Sequence, residues 1–213
     1  MSSTILMLRH GITEGNKKKW FYGALDLHLL PEGKEALRSL RDAGVYPELP
    51  EHVQFFTTGL IRTEETLEVL FGEQPHEAIS DLREMSFGEC EGMTFDELKD
   101  APAFQSWSYD ETGEIAFPGG ETRNGFTARV KRGTDDLVSR HHLKELEVRH
   151  SGEDVMTIMV CHGGVICAMM EHLFPKVKGD MWEWMMEPGS GYIIEMDKNA
   201  PASYVQIGET MVY

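Results

Sequence analysis

Thr4-Ile5-Leu6-Met7-Leu8-Arg9-His10-Gly11 is the stretch on which the fold turns. Its apolar run reads as a buried strand that ends in Arg-His-Gly. A second stretch has the same form: Val155-Met156-Thr157-Ile158-Met159-Val160-Cys161 runs directly into His162-Gly163. Each places a histidine at the carboxyl end of a strand, the edge of an open α/β sheet where ligands bind.

The rest of the chain alternates strands and helices. Pro31-Glu32-Gly33 opens a helix to about Ala43, with Ala36, Leu37 and Leu40 at helical spacing. Val53–Thr57 reads as a strand, Leu60–Phe71 as a helix stopped by Gly72, and Glu77–Ser80 as a short strand. A long helix is predicted from Glu121 to about His142, carrying Phe126, Val130, Thr134, Leu137 and Val138 inward. A helix over Val165–Leu173 and a hairpin over 190–196 and 203–207 close the chain. Together these predict one domain over residues 1–213, an α/β three-layer sandwich with a largely parallel central sheet flanked by helices. Two segments lack clear periodicity. One is the loop 9–31; the other is 82–120, rich in aromatics (Phe87, Phe95, Phe104, Trp107, Tyr109, Phe117) and read as a lid-like segment. Its aromatics either form part of a site for an apolar or ring-bearing ligand or close a small satellite core.

Composition narrows the function classes. The 213 residues are 41% hydrophobic and 26% charged, ordinary for a globular protein. No apolar run approaches the roughly 20 residues of a membrane span, and the N-terminus does not read as a signal peptide, so a cytoplasmic location is expected. Cys90, Cys161 and Cys167 show no Cys-x-x-Cys spacing, which argues against a disulfide framework or a structural zinc site. Cys161 precedes His162, but neighbours on a strand face opposite ways, so it reads as a buried small residue. A net charge of −16 argues against nucleic-acid and anionic-membrane partners. An anionic small molecule fits only if positive charge is concentrated in one pocket. Lys17-Lys18-Lys19 follows the first histidine motif, although solvated lysines are the preferred reading.

Two strand-end histidines, each followed by glycine, with Arg9 beside one and Arg62 at the opening of another helix, point to a phosphoryl group. Arginine presents a planar fork of donors and stays charged. The N-terminus of the helix carrying Arg62 adds free N–H groups and the positive end of a dipole. Beside Arg9, the pKa of His10 should fall, leaving it neutral and nucleophilic at pH 7.

At this point the chain resembles the histidine phosphatase superfamily, which includes cofactor-dependent phosphoglycerate mutase, α-ribazole phosphatase and fructose-2,6-bisphosphatase. Five segments carry the resemblance in order: Arg9–Asn16; Thr57-Thr58 through Arg62 and Thr66; Leu82–Gly92; Pro118-Gly119-Gly120-Glu121; and Cys161–Ile166. Gly23, Asp26, Leu29, Gly33 and Ala36 also fall at the family's spacing. The resemblance implies a phosphoglycerate mutase-like fold and a phosphohistidine formed on His10. Arg9, Asn16, Arg62, His162 and Gly163 would serve the phosphoryl oxygens, and Glu84 would protonate the leaving oxygen and then activate water. Glu84 must be partly protonated at rest, as burial in the aromatic segment would arrange. No metal or cofactor is implied.

The chain departs from the family pattern at Ile12, where many relatives carry an acidic residue, and at Cys161, where serine is common. It also lacks the Arg-x-Pro continuation of the secreted acid phosphatase branch. Residues 89–120 contain no Arg or Lys except Lys99, which suits release of phosphate to water better than retention of a second phosphate. The expected activity is therefore hydrolysis of a small phosphorylated metabolite or other phosphomonoester. A mutase and a non-catalytic phospho-ligand binder are the alternatives, and a homodimer is left open.

Overall fold

Alternation along the first strand sets the layers. In the computed structural model, which describes residues 2–208, β1 (Ser3–Arg9) sends Ile5 and Met7 into one apolar core and Leu6 and Leu8 into another. The loop after it is less irregular than its polar sequence indicates. Thr13 and Asn16 cap each other across the start of α1 (Glu14–Lys18), and β2 (Trp20–Phe21) follows. Next come α2 (Pro31–Asp42), β3 (His52–Thr57), α3 (Ile61–Phe71) and β4 (His76–Ala78), each within a few residues of its sequence-based bounds.

The segment 82–120 contains β5 (Met93–Thr94), α4 (Phe95–Leu98) and α5 (Pro102–Ser108), elements too short to leave a periodic signal. A long helix, α6 (Arg123–Val148), starts two residues later than expected because Thr122 caps it, and runs past His142. Leu143 and Leu146 are exposed there, so no apolar stripe marks the last turns. Polar contacts anchor that end instead, with His141 bridging Ser3 and Thr157. The chain ends with β6 (Val155–Cys161), α7 (Gly163–Leu173), β7 (Gly191–Asp197) and β8 (Ala200–Ile207).

The main sheet has the order β4-β3-β6-β1-β7-β8, parallel from β4 to β1, with β7 antiparallel to both β1 and β8. On one face, α2 and α3 bury Leu37, Leu67 and Leu70 against Leu6, Leu8, Ile158 and Val160. On the other, α6 and α7 bury Phe126, Val130, Leu137 and Ile166 against Met7 and Met159. The predicted sandwich is therefore present. β1 and β6 are neighbours whose following helices pack on opposite faces, which makes their carboxyl ends the sheet's switch point. His10 and His162 stand there.

Leu137 lies in the sheet-facing stripe of α6, away from that edge. Leu137→Ala should lower the urea-unfolding free energy by about 2–5 kcal/mol, since the rigid sheet beneath cannot collapse into the void. Ligand binding per folded molecule should be unchanged.

Candidate active site

Arg9, His10, Asn16, Arg62, Glu84 and Gly163 all line one cleft of about 690 Å3. His162 lies just behind it, with no exposed surface. The sequence-predicted residues are thus brought together, six on the cleft wall and one supporting it.

Backbone ties to both neighbouring strands fix His10. Its N–H donates to Cys161 O at the end of β6, and the N–H of Gly11 donates to Thr66 Oγ1 on α3. The His10 ring places Nδ1 2.7 Å from Gly11 O. A carbonyl only accepts, so Nδ1 carries the proton and Nε2 keeps its lone pair. Burial, reinforced by Arg62 and then Arg9, holds the His10 pKa well below the ordinary 6.5. Arg9 was expected to be the main cause, but desolvation comes first and Arg62 outranks Arg9.

Arg62 is fully buried on the first turn of α3. Its Nη2 donates to Gly23 O at 2.7 Å, Nη1 to Leu25 O at 3.0 Å and Nε to His162 Nδ1 at 3.3 Å. Three of its roughly five N–H groups are so used, leaving one on each terminal nitrogen for a ligand. Tyr22 lies against the guanidinium, its ring centre 5.2 Å away. His162 accepts from Arg62 at Nδ1, so its proton is on Nε2, which donates to Thr58 Oγ1 at 3.0 Å. Both nitrogens of His162 are engaged within the protein. It meets the site through Arg62 and through the edge of its ring, 5.3 Å from that of His10.

Other donors have their own supports. Arg9 donates to Met186 O, while its buried Nε has no hydrogen-bond partner among the described residues. Asn16 accepts at Oδ1 from the N–H and hydroxyl of Thr13, which leaves its amide nitrogen to donate elsewhere. The N-terminus of α3 is not free as expected: Asp26 accepts from Ile61 N at 2.8 Å. The helix start facing the cleft is that of α7, where Gly164 N–H donates to Glu84 Oε2 at 3.1 Å. Lys17 and Lys18 pair with Glu32 and Glu14 in solvent, and only Lys19 of that triplet reaches the cleft.

Glu84 sits partly buried on the wall of the same cleft as His10. Desolvation raises its pKa above the ordinary 4.5, outweighing the N–H groups of Met85 and Gly164 and the two arginines, which act the other way. Its backbone is clamped from α6. Arg129 donates through Nη1 to Asp81 O and Arg83 O, each at 2.8 Å, and is itself held by a two-bond fork to Glu121. Cys161 is buried in the core and burial pushes its thiol up, so it is inert, in keeping with its reading as a small core residue. Together these groups provide an unprotonated imidazole nitrogen, two guanidinium groups and a carboxyl group inclined to hold a proton.

The family model of the histidine phosphatase superfamily (branch 1) matches residues 5–206. A 2,3-bisphosphoglycerate-dependent phosphoglycerate mutase of Chelativorans sp. is 30% identical over 196 residues, 76% of this chain and 90% of that one. A glucosyl-3-phosphoglycerate phosphatase of Mycolicibacterium vanbaalenii is 28% identical over 168 residues, covering 78% of this chain and 71% of its own. Among solved structures, the α-ribazole phosphatase of Shigella flexneri superposes with a TM-score of 0.74 at 21% identity, covering 99% of this chain and 98% of that chain. This last likeness is one of fold.

Glu91, like Arg129 and Tyr22, has a role that the sequence reading missed. Its carboxylate accepts from the N–H groups of Gly23, Ala24, Leu25 and Phe87 at 2.9–3.0 Å. The carbonyls of Gly23 and Leu25 are the two that hold Arg62, so Glu91 fixes the fork through the loop. A Glu-Gly pair before a strand carries no sign of this, because its partners are backbone groups, three of them more than 60 residues away in sequence. Glu91→Ala should weaken inorganic phosphate binding by about 10- to 100-fold in calorimetry, the scale expected for an ångström of misplacement. An unchanged affinity would show that Arg62 is held without that loop.

Proposed function

The chain belongs to the histidine phosphatase superfamily, and from that premise we propose that it is a metal-independent phosphomonoester hydrolase. One observation carries the reading. His10 is held as the tautomer with a free Nε2, in the same cleft as two arginines and a carboxyl group whose proton is favoured by burial.

In the proposed first step, His10 Nε2 attacks phosphorus and the bond to the ester oxygen breaks. Glu84 gives its proton to that oxygen, and the alcohol leaves. In the second step the Glu84 carboxylate takes a proton from water, whose oxygen attacks the phosphohistidine. The P–N bond breaks, returning His10 as the free base, Glu84 as the acid and releasing phosphate. Arg62 and Arg9 neutralise the oxygens as charge moves, the main requirement of phosphoryl transfer. The arginines thus take the part a cation would otherwise play.

Mutase chemistry is the second reading, favoured by the 30% identical phosphoglycerate mutase. It requires the cleft to retain a second phosphate, and Lys99, the one basic residue of 89–120, pairs with Asp96 and does not line it. Arg123 and Lys19 do line the cleft, so the same assays should include 3-phosphoglycerate.

Phosphate release from p-nitrophenyl phosphate should persist in excess chelator and fall by about a thousand-fold or more in His10→Ala. Dependence on added divalent metal would overturn the reading. Glu84→Gln should slow an alkyl phosphate more than the nitrophenyl ester, whose leaving group needs little help. The pH profile has a worked sign. His10 must be unprotonated and its pKa is lowered, so activity should persist below pH 6.5 before an acid limb appears. Glu84 must be protonated and its pKa is raised, so the alkaline limb should lie above 4.5 and disappear in Glu84→Gln.

A further inference from the structure

The cleft is far larger than a phosphoryl group. Beyond the polar end described above, its wall is built from Trp20, Phe87, Phe95, Phe126, Trp182 and Met185. Sequence alone left two readings of the aromatic segment, and the structure divides its members between them. Phe104 and Phe117 are buried with Cys90 and Leu98 in a satellite core, so they serve packing. Phe95 touches that core through an edge-on contact with Phe104 and is 57% exposed; Trp182 and Met185, from a later segment, are 52% and 42% exposed, and all three line the same cleft.

Phe95 and Trp182 are also held in place. Phe95 opens α4, where Thr94 N–H donates to Glu97 Oε2 at 2.8 Å and Glu97 N–H returns to Thr94 Oγ1. Trp182 sits in the single turn Met181–Trp184, closed in the same reciprocal way by Asp180 and Glu183. Two large rings from distant segments, each fixed by a capping box, therefore stand uncovered at the mouth of one cleft. Large apolar rings grouped at one cleft, rather than scattered over the surface, form a patch that a ligand gains by covering. Among the described residues Glu84 is the only acidic one on the cleft wall, in a chain of net charge −16, and Lys19 and Arg123 line the same wall. The wall favours an anion and offers a cationic ligand no carboxyl group besides Glu84 among the described residues.

We infer that the outer half of the cleft is a ring-binding subsite, and that the substrate is the phosphomonoester of an alcohol carrying an uncharged aromatic or fused-ring group. The inference rests on the hydrolase reading for the word substrate, but the subsite itself does not.

The test pairs compounds whose leaving groups are chemically alike. Ethyl and naphthylethyl phosphate are compared as substrates, and ethyl- and naphthylethylphosphonate as non-hydrolysable ligands in calorimetry. The naphthyl compound should be favoured by about 50-fold or more in kcat/KM and in affinity, the scale of burying one fused ring. Trp182→Ala and Phe95→Ala, both at exposed positions, should each lower that naphthyl-to-ethyl ratio by about 5- to 10-fold. Ratios within about 3-fold of unity in the unaltered protein, or unmoved by both variants, would overturn the subsite whatever the turnover. Turnover of ethyl phosphate without ring preference would leave the hydrolase reading standing and remove the subsite. Ring-selective phosphonate binding with no turnover of any ester would do the reverse. A dimer in sedimentation that Trp182→Ala dissociates, with the ratio unchanged, would assign the exposed rings to a second copy of the chain and overturn the proposal.

Discussion

A guanidinium with no exposed surface is the constraint from which the site follows. Taking a cation out of water is costly unless it is paired or fully hydrogen-bonded. Arg62 has no carboxylate within ion-pair distance among the described residues. It rests on two carbonyls and an imidazole nitrogen. These orient the fork without cancelling its charge, so the counter-ion is left for a ligand to supply. The same charge, with burial, discourages protonation of His10 and His162 and so keeps a lone pair on His10 Nε2. The supports extend outward: Glu91 holds the loop that holds Arg62, and Thr66 ties the helix of Arg62 to Gly11. The net charge of −16 is not at odds with anion binding, because Glu84 is the only acidic residue on the cleft wall among the described residues and its pKa is raised.

The sheet makes this convergence possible. β1 and β6 are adjacent and parallel, register-matched so that Arg9 lies beside Cys161, and each delivers its histidine one residue later. Helices leaving toward opposite faces open the space above that edge. The second arginine arrives on α3, after β3, and the carboxyl group on the segment after β4. Four consecutive places in the parallel half of the sheet thereby contribute to one cleft. The antiparallel hairpin beyond β1 contributes no residue to the cleft wall and closes the sheet on that side.

Much of this was legible in the sequence where backbone and side chain agree. The two strand-plus-His-Gly stretches gave the sheet edge, and the strand–helix alternation gave the layers. What was hidden has three physical causes. Elements of two to seven residues, such as α1, β5 and α4, depend on local caps and leave no periodic stripe. The last turns of α6 are held by polar bonds from His141, so hydrophobic pattern could not mark their end. Supports such as Glu91, Arg129 and Tyr22 act through partners remote in sequence, mostly backbone groups, and a residue type alone does not reveal them. The free N-terminus expected at α3 failed for the same reason, since Asp26 from the preceding loop occupies it.

The aromatic wall and the acid are two parts of one device. Glu84 accepts two N–H bonds and feels two arginines, all of which favour the carboxylate, yet burial prevails and its pKa rises. Met85, Phe87 and Phe126 line the same cleft and keep much of its wall apolar. Any ligand that fills the outer cleft displaces water from the acid's open side and strengthens the same desolvation, while its phosphoryl group brings negative charge that opposes a second one on Glu84. Occupancy and protonation therefore reinforce each other. Under the proposed chemistry the proton is held most firmly when an ester is bound to receive it. It is released more readily once the alcohol has left and water has re-entered, which is the order that a residue acting first as acid and then as base requires.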